Sequence, residues 1–201
     1  MSGTFPSTQG LRGLNFTNNQ PNLISMSISG RRQAKTQGAQ FFSFTVVTPP
    51  LNTAEYKDMM GFLAEQQGQF DTFEIVLPNL STPAGSVTGN VLDVVGAHTA
   101  GVKSIAVDGG TASQTDYLKR GDLVRFSTDP KVYILTADAN TDGSGAATLS
   151  IEPGIITALA DNDTVETNDV KFTVFLGSPS SEFETGLENF TQLEFDAQEA
   201  F

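Results

Sequence analysis

The sequence contains no cysteine, no tryptophan and only one histidine among its 201 residues. Without cysteine, neither disulfides nor thiolate metal sites can form. His98 is the one imidazole, so a zinc site of paired histidines is excluded, and a Ser-His-Asp triad would depend on this residue alone. No apolar run approaches the ~20 residues that a membrane-spanning helix needs. These absences argue against a metalloenzyme and a membrane partner, and we expect no cofactor.

Charged residues are also scarce, at 17% of the chain against roughly 25% in an ordinary domain. Acids number 23 and bases 11, which gives a net charge of −12. The charge is uneven: residues 1–50 carry +4, whereas residues 169–201 carry −6. Because a strongly anionic chain repels phosphate, we do not expect nucleic-acid binding. We expect the bases to meet acids within one subunit or between neighbours.

The abundant residues indicate a mainly β protein. Fifteen Phe and 19 Gly favour strands and turns, and short segments alternate apolar with polar residues in the pattern of half-buried strands. The first twenty residues show no periodicity and are interpreted as an extended arm. The predicted strands are 23–29, 40–47, 73–77, 91–95, 103–107, 123–127, 132–136, 147–151, 164–166, 170–176 and 190–197.

A single helix is predicted after residue 52. Asn52 is a good N-cap, and Glu55 lies at the capping-box spacing. An apolar stripe follows at helical spacing, and Gly68 is suited to the left-handed conformation that ends helices. The stripe consists of Tyr56, Met59, Met60 and Leu63.

The strands divide into two groups that predict two domains. Residues 1–83 and 169–201 form an outer domain. Residues 84–168, with close-spaced strands and Gly/Asp turns, form an inserted small β-barrel or sandwich. Its expected core is Val91, Val95, Ile105, Val107, Leu123, Val124, Phe126, Val132, Ile134, Leu149 and Ile151.

No catalytic residue is predicted, because no nucleophile elbow, phosphate loop or dinucleotide fingerprint is present. Asp138, Asn140 and Asp142 match the first half of a calcium loop, but position 12 is Leu149 where a bidentate carboxylate is needed. A β-turn explains the same composition, so no metal site is expected.

The acidic tail has two interpretations, a solvated strand face or a negative surface that faces a neighbour or a channel. Its acids are Glu182, Glu184, Glu188, Glu194, Asp196 and Glu199. Arg31 and Arg32 are the matching basic candidates for assembly.

The outer-domain residues carry a resemblance to a known family. Two strands, the helix stripe, and the step Gly68-Gln-Phe70-Asp-Thr-Phe73 into a third strand resemble phage tail proteins of the distal-tail or minor-tail hub (baseplate hub) type. Residues 169–201 resemble the return strands of the same belt domain. Residues 118–153 resemble the β-barrel insertion, often of oligonucleotide/oligosaccharide-binding (OB) type.

The resemblance implies a β-sandwich or split-barrel belt domain with an inserted OB-like barrel, and no enzymatic activity. It implies a subunit made in the host cytoplasm and built into the virion tail. Its partners would be copies of itself in a ring, commonly a hexamer, together with the tail tube and tail-fibre or hub proteins. DNA would only pass through the lumen, where an anionic wall would not bind phosphate. The alternatives are a tail-tube or tail-terminator subunit, or a tail module that binds host-surface carbohydrate through Tyr117, Phe126 or Tyr133.

From the residues themselves, we expect ring interfaces at strands 23–29, 40–47 and 190–197.

Overall fold

The computed structural model describes residues 3–6, 10–36, 40–179 and 192–201. These residues form thirteen strands and one α-helix, which confirms the mainly β prediction. The part of the chain predicted as the outer domain contains β1 (Gly13–Asn19), β2 (Asn22–Met26), β3 (Arg32–Thr36), β4 (Phe41–Val47), α1 (Thr53–Glu65), β5 (Phe73–Val76), β12 (Lys171–Leu176) and β13 (Glu194–Glu199). The segment predicted as the insertion contains β6 (Leu92–Val94), β7 (Ser104–Asp108), β8 (Leu123–Phe126), β9 (Asp129–Leu135), β10 (Ala147–Glu152) and β11 (Thr164–Glu166).

Five strands of the outer domain form an antiparallel sheet in the order β1-β4-β13-β12-β5. The alternation in β4 buries Phe42, Phe44 and Val46 on one face and leaves Ser43 and Thr45 on the other. The arm predicted for the first twenty residues is wrong in part, since β1 pairs with β4 along its whole length. The weak apolar pattern of Gly13–Asn19 explains why periodicity missed this strand.

Helix α1 covers the buried face of this sheet. Asn52 Oδ1 accepts hydrogen bonds from the backbone N–H groups of Ala54 and Glu55 at 3.0 and 3.1 Å, and Glu55 Oε2 accepts one from the backbone N–H of Asn52 at 2.9 Å, so the capping box is confirmed. Gly68 has φ +69°, and a Cβ there would lie 2.9 Å from the carbonyl oxygen of Pro179, so glycine is required. The helix stripe Tyr56, Met59 and Leu63 is buried.

Strands β6–β11 close into a barrel in the order β10-β7-β6-β11-β8-β9. An OB fold has five strands, whereas this barrel has six, so the OB-like assignment remains a prediction. The segment leaves and rejoins the outer domain at neighbouring points, because the backbone N–H of Val170 donates to the carbonyl of Ser81 at 3.2 Å. Adjacent ends are what an inserted unit needs.

Five of the residues expected in the barrel core lie elsewhere. Leu123 and Val132 are buried in the core of the outer domain, and Ile134 packs against that core from its edge. Val91 and Val95, expected inside the barrel, are instead exposed. The misassignment of Leu123, Val132 and Ile134 has a clear cause. Period-two alternation predicts that a strand face is buried, but not which of two adjoining cores it enters.

Candidate assembly interface

The structure separates the residues predicted for assembly into two places. Arg31 and Arg32 lie at the end of a hairpin, whereas Glu194 and Asp196 lie on β13 with exposed side chains. Glu188 lies outside the described residues. Among the ion pairs of the described residues, none includes Arg31 or Arg32. The described part of the chain therefore does not bring the two charge groups together.

Glu194 and Asp196 belong to the sheet face that α1 leaves uncovered, called here the outer face. Asn15, Thr45 and Asp196 form a row across β1, β4 and β13, and the Thr45 hydroxyl donates to Asp196 Oδ1 at 2.6 Å. The row borders a depression of about 250 Å³, which Thr17, Ser43 and Gln198 also line. None of the three strands contains Lys or Arg. The outer face is consequently polar and negative.

The sheet topology restricts how the expected interface strands could meet a neighbouring copy. β4 and β13 are interior strands whose backbone groups already pair on both sides, so neither can accept a neighbour's strand. The β5 edge is bridged by residues 3–5, where the N–H of Phe5 donates to the Glu74 carbonyl at 2.7 Å. Within the described ranges, β1 pairs with β4 alone. The β1 edge is thus the one these residues leave open for pairing.

β2 and β3 form a separate two-stranded sheet, called here the projecting hairpin (residues 22–36). All ten residues of its two strands are exposed. The half-buried strand predicted at 23–29 is therefore wrong for the single chain: Ile24 and Met26 share an apolar face that no described residue covers. At about 3.4 Å per residue, five residues extend the hairpin ~17 Å.

Glu199 corrects the interpretation of the acidic tail, because its side chain is fully buried. Glu199 Oε2 accepts from Lys131 Nζ at 2.7 Å and from the backbone N–H of Phe42 at 3.1 Å. Its other oxygen accepts from the N–H of Val132 at 2.8 Å. Lys131 comes from barrel strand β9 and Glu199 from β13 of the outer sheet, so this ion pair joins the two units.

Burial controls the protonation of this pair. Desolvation lowers the pKa of Lys131 and raises the pKa of Glu199, while the mutual attraction of the two charges opposes both shifts. Lys131 Nζ also lies 4.5 Å from the ring centroid of Phe201 and 5.2 Å from that of Phe42, which supplies cation–π stabilisation. The sequence carries a signal for Glu199, since it shares the parity of buried Ala197 and Leu193.

The aromatic residues considered for carbohydrate binding are not available. Tyr117, Phe126 and Tyr133 are all buried in the barrel core, so no sugar can stack on them. The Tyr133 hydroxyl donates to Asp129 Oδ2 at 2.6 Å, and burial raises its pKa. These side chains therefore stabilise the barrel.

The residues of the partial calcium loop each support backbone structure. Asp138 Oδ1 accepts from the N–H of Arg120 at 2.8 Å, and Asn140 Oδ1 accepts from the N–H of Asp116 at 2.7 Å. Asp142 Oδ1 accepts from both the N–H and the hydroxyl of Ser144, and these bonds lower the pKa of Asp142. Such contacts are those of turn-forming Asp and Asn.

Among the described residues, no group of three or more His, Asp or Glu side chains could hold a metal ion. His98 lies in a barrel loop, where its backbone pairs with Leu159. No helix in the same part of the chain has the length and apolar character needed to cross a membrane.

Comparison with known proteins gives one informative match. No protein-family model matches the chain. It is 27% identical over 165 residues to the distal tail protein pb9 of Escherichia phage T5, an alignment that covers 81% of this chain and 78% of pb9. This distant similarity supports a structural role in a phage tail and a location in the virion, in agreement with the resemblance seen in the sequence.

Proposed function

We propose that this protein is a structural subunit at the distal end of a phage tail. In this proposal its copies close into a ring, with six as the expected number, that joins the tail tube to the host-recognition apparatus. DNA passes through the lumen of the ring, and the protein catalyses no reaction. The similarity to a distal tail protein over four-fifths of the chain supports the tail location.

The two faces and the edge of the five-stranded sheet support the proposed ring and its lumen. One face is covered by α1, whereas the outer face carries Glu194 and Asp196 and borders the β1 edge that the described residues leave open. An open edge is a site where another copy can pair. The part of the outer face formed by β1, β4 and β13 contains no base, and such a negative wall repels DNA phosphates and lets the duplex pass without being retained. The one-sided sheet is the observation on which this proposal chiefly rests.

The first test is assembly of the purified chain. At tens of micromolar we expect analytical ultracentrifugation to show a closed multiple of the 21.4 kDa subunit, and negative-stain images to show rings with a central hole. A protein that sediments only as a monomer, also in the presence of purified tail-tube subunits, would contradict the proposal. Long stacked tubes in place of single rings would instead identify a tail-tube subunit.

The second prediction concerns the lumen. The double variant Glu194→Lys, Asp196→Lys is expected to keep its circular dichroism spectrum, because both side chains are exposed, but to retain DNA at low salt. The reason is that the change replaces repulsion of phosphate with attraction. The measurement is DNA co-sedimentation with the assembled ring across a salt series.

The matched control reverses two other exposed acids, Asp58→Lys and Asp108→Lys, which lie on α1 and β7 away from the outer face. The net charge change is the same in both variants. If the control and the outer-face variant retain equal amounts of DNA, the net charge and not its position is responsible for the retention. The outer face then does not line the lumen.

A further inference from the structure

The projecting hairpin has the sequence of a half-buried strand and the environment of a fully exposed one. Ile24 and Met26 lie on one face, with Ala34 opposite Ile24 in the register. Met26 is 71% exposed, and Ile28 at the tip is completely exposed. An apolar face of this kind on an ordered element is typical of an interaction surface.

Hydrogen bonds within the single chain hold the hairpin together. Its tip is closed by the Ser27 N–H, which donates to the Arg31 carbonyl at 3.0 Å, and by the Gly30 N–H, which donates to the Ser27 carbonyl at 2.9 Å. At its base, Gln40 Nε2 donates to Asn18 Oδ1 at 2.7 Å. A surface that its own hydrogen bonds hold in shape loses less conformational entropy when it docks than an unstructured segment does.

The charge of the projecting hairpin favours an acidic partner. The hairpin contains Arg31, Arg32 and Lys35 and no acid. Removing these three positive charges from the net −12 leaves −15 on the rest of the chain. A second copy of this chain therefore offers the hairpin a surface of opposite charge, which favours encounter and fixes orientation.

One exposed aromatic residue outside the hairpin provides the matching apolar contact. Phe70 is 83% exposed, although the turn that carries it (residues 66–72, called here the Phe70 turn) is well held. The N–H of Asp71 donates to the Gln66 carbonyl at 3.1 Å, and Gln69 Nε2 donates to the Gly177 carbonyl at 2.9 Å. Phe70 is thus presented to solvent by an ordered backbone.

Two acidic residues lie close to Phe70 in the sequence. Glu65 is exposed at the last position of α1, and Asp71 follows Phe70 directly. We propose that the projecting hairpin of one copy docks on the Phe70 turn of the next copy, with Ile24, Met26 and Ile28 against the Phe70 ring and Arg31 and Arg32 towards these acids. This inference rests on the proposed self-assembly and names the two surfaces that meet.

Disulfide trapping tests the contact directly, because the chain has no cysteine of its own. Mixing Ile28→Cys chains with Phe70→Cys chains under mild oxidation is expected to give a covalent dimer at twice the 21.4 kDa subunit mass. The control mixture replaces Phe70→Cys with Val91→Cys, an exposed apolar position on the barrel. No more cross-linked product than in this control would overturn the inference.

Loss-of-contact variants give the second measurement. Met26→Ser and Phe70→Ser are each expected to raise the concentration at half-assembly by about tenfold or more, which corresponds to the loss of one strong interface contact. Both side chains are exposed in the single chain, so the unfolding temperature of the unassembled subunit should not change. Val91→Ser, which removes a side chain that is 46% exposed, is expected to leave assembly unchanged.

The outcomes separate this inference from the proposed ring. Wild-type rings that form while the Ile28→Cys and Phe70→Cys chains do not cross-link overturn the hairpin contact and leave the proposed ring intact. Wild-type rings that form while both serine variants also assemble normally have the same consequence. A wild-type protein that never assembles overturns both. If the hairpin variants keep assembly but lose flotation with vesicles of phosphatidylserine and phosphatidylcholine, the surface binds a membrane and the inference is wrong.

Discussion

Replacing Lys131 with Met is expected to lower the free energy of unfolding by about 3–5 kcal/mol, since it leaves a buried carboxylate without its partner. Glu199 has no access to solvent, and its remaining contacts are the N–H groups of Phe42 and Val132. These two donors cannot replace an ammonium group 2.7 Å away. Urea unfolding followed by circular dichroism measures the loss.

Two further variants isolate the cause of this loss. Adding Glu199→Gln to Lys131→Met removes the uncompensated charge, and we expect at least about half of the lost stability to return. Lys103→Met breaks an ion pair of the same 2.7 Å length with Glu152, but those side chains are 59% and 40% exposed. This control should cost less than about 1 kcal/mol. Equal losses at Lys131 and Lys103 would show that burial is not responsible.

Removing the barrel is expected to leave a protein that folds but is less stable. In this variant Thr82 is joined to Asp169 through a short Gly-Ser linker, which the proximity of Ser81 and Val170 allows. The outer domain keeps its sheet and helix, but it loses Lys131, the partner of Glu199, and the burial supplied by Leu123 and Val132. At about 1.5–3 kcal/mol for each buried side chain, the deficit is at least about 3 kcal/mol. We expect β-sheet circular dichroism, a cooperative transition at lower urea concentration, and retained ring formation.

The full-length variant Leu123→Ala measures the same junction without the deletion. It should lower the free energy of unfolding by about 2–5 kcal/mol, as other buried Leu→Ala changes do. If the truncated chain is insoluble and isolated residues 84–168 show no cooperative unfolding, the two units share one core. The proposed boundaries at residues 83 and 169 would then be wrong.

Local structure could be predicted because it depends on neighbouring residues. The capping box at Asn52 and Glu55, the buried stripe of α1 and the alternation of β4 follow from short-range hydrogen bonding and periodicity. β1 was missed because its residues, GLNFTNN, have little apolar alternation, and its pairing with β4 supplies the order.

The candidate site was predicted less completely. Arg31, Arg32, Glu194 and Asp196 were identified from charge, and the structure places their side chains at the surface. The ion pair between Lys131 and Glu199 was not predicted, because its members are 68 positions apart. Strand parity places Glu199 on a buried face, but no local rule shows which base meets it.

The faces of β4, the helix with its cap, and the separation of basic from acidic segments follow from the sequence alone, since each depends on residues a few positions apart. Three other properties come from the tertiary structure alone: β4 and β13 are interior strands, no described residue covers the apolar face of 24–28, and Glu199 is buried with Lys131. Each of these depends on which distant segments pack together. Burial is a property of that packing and not of local alternation.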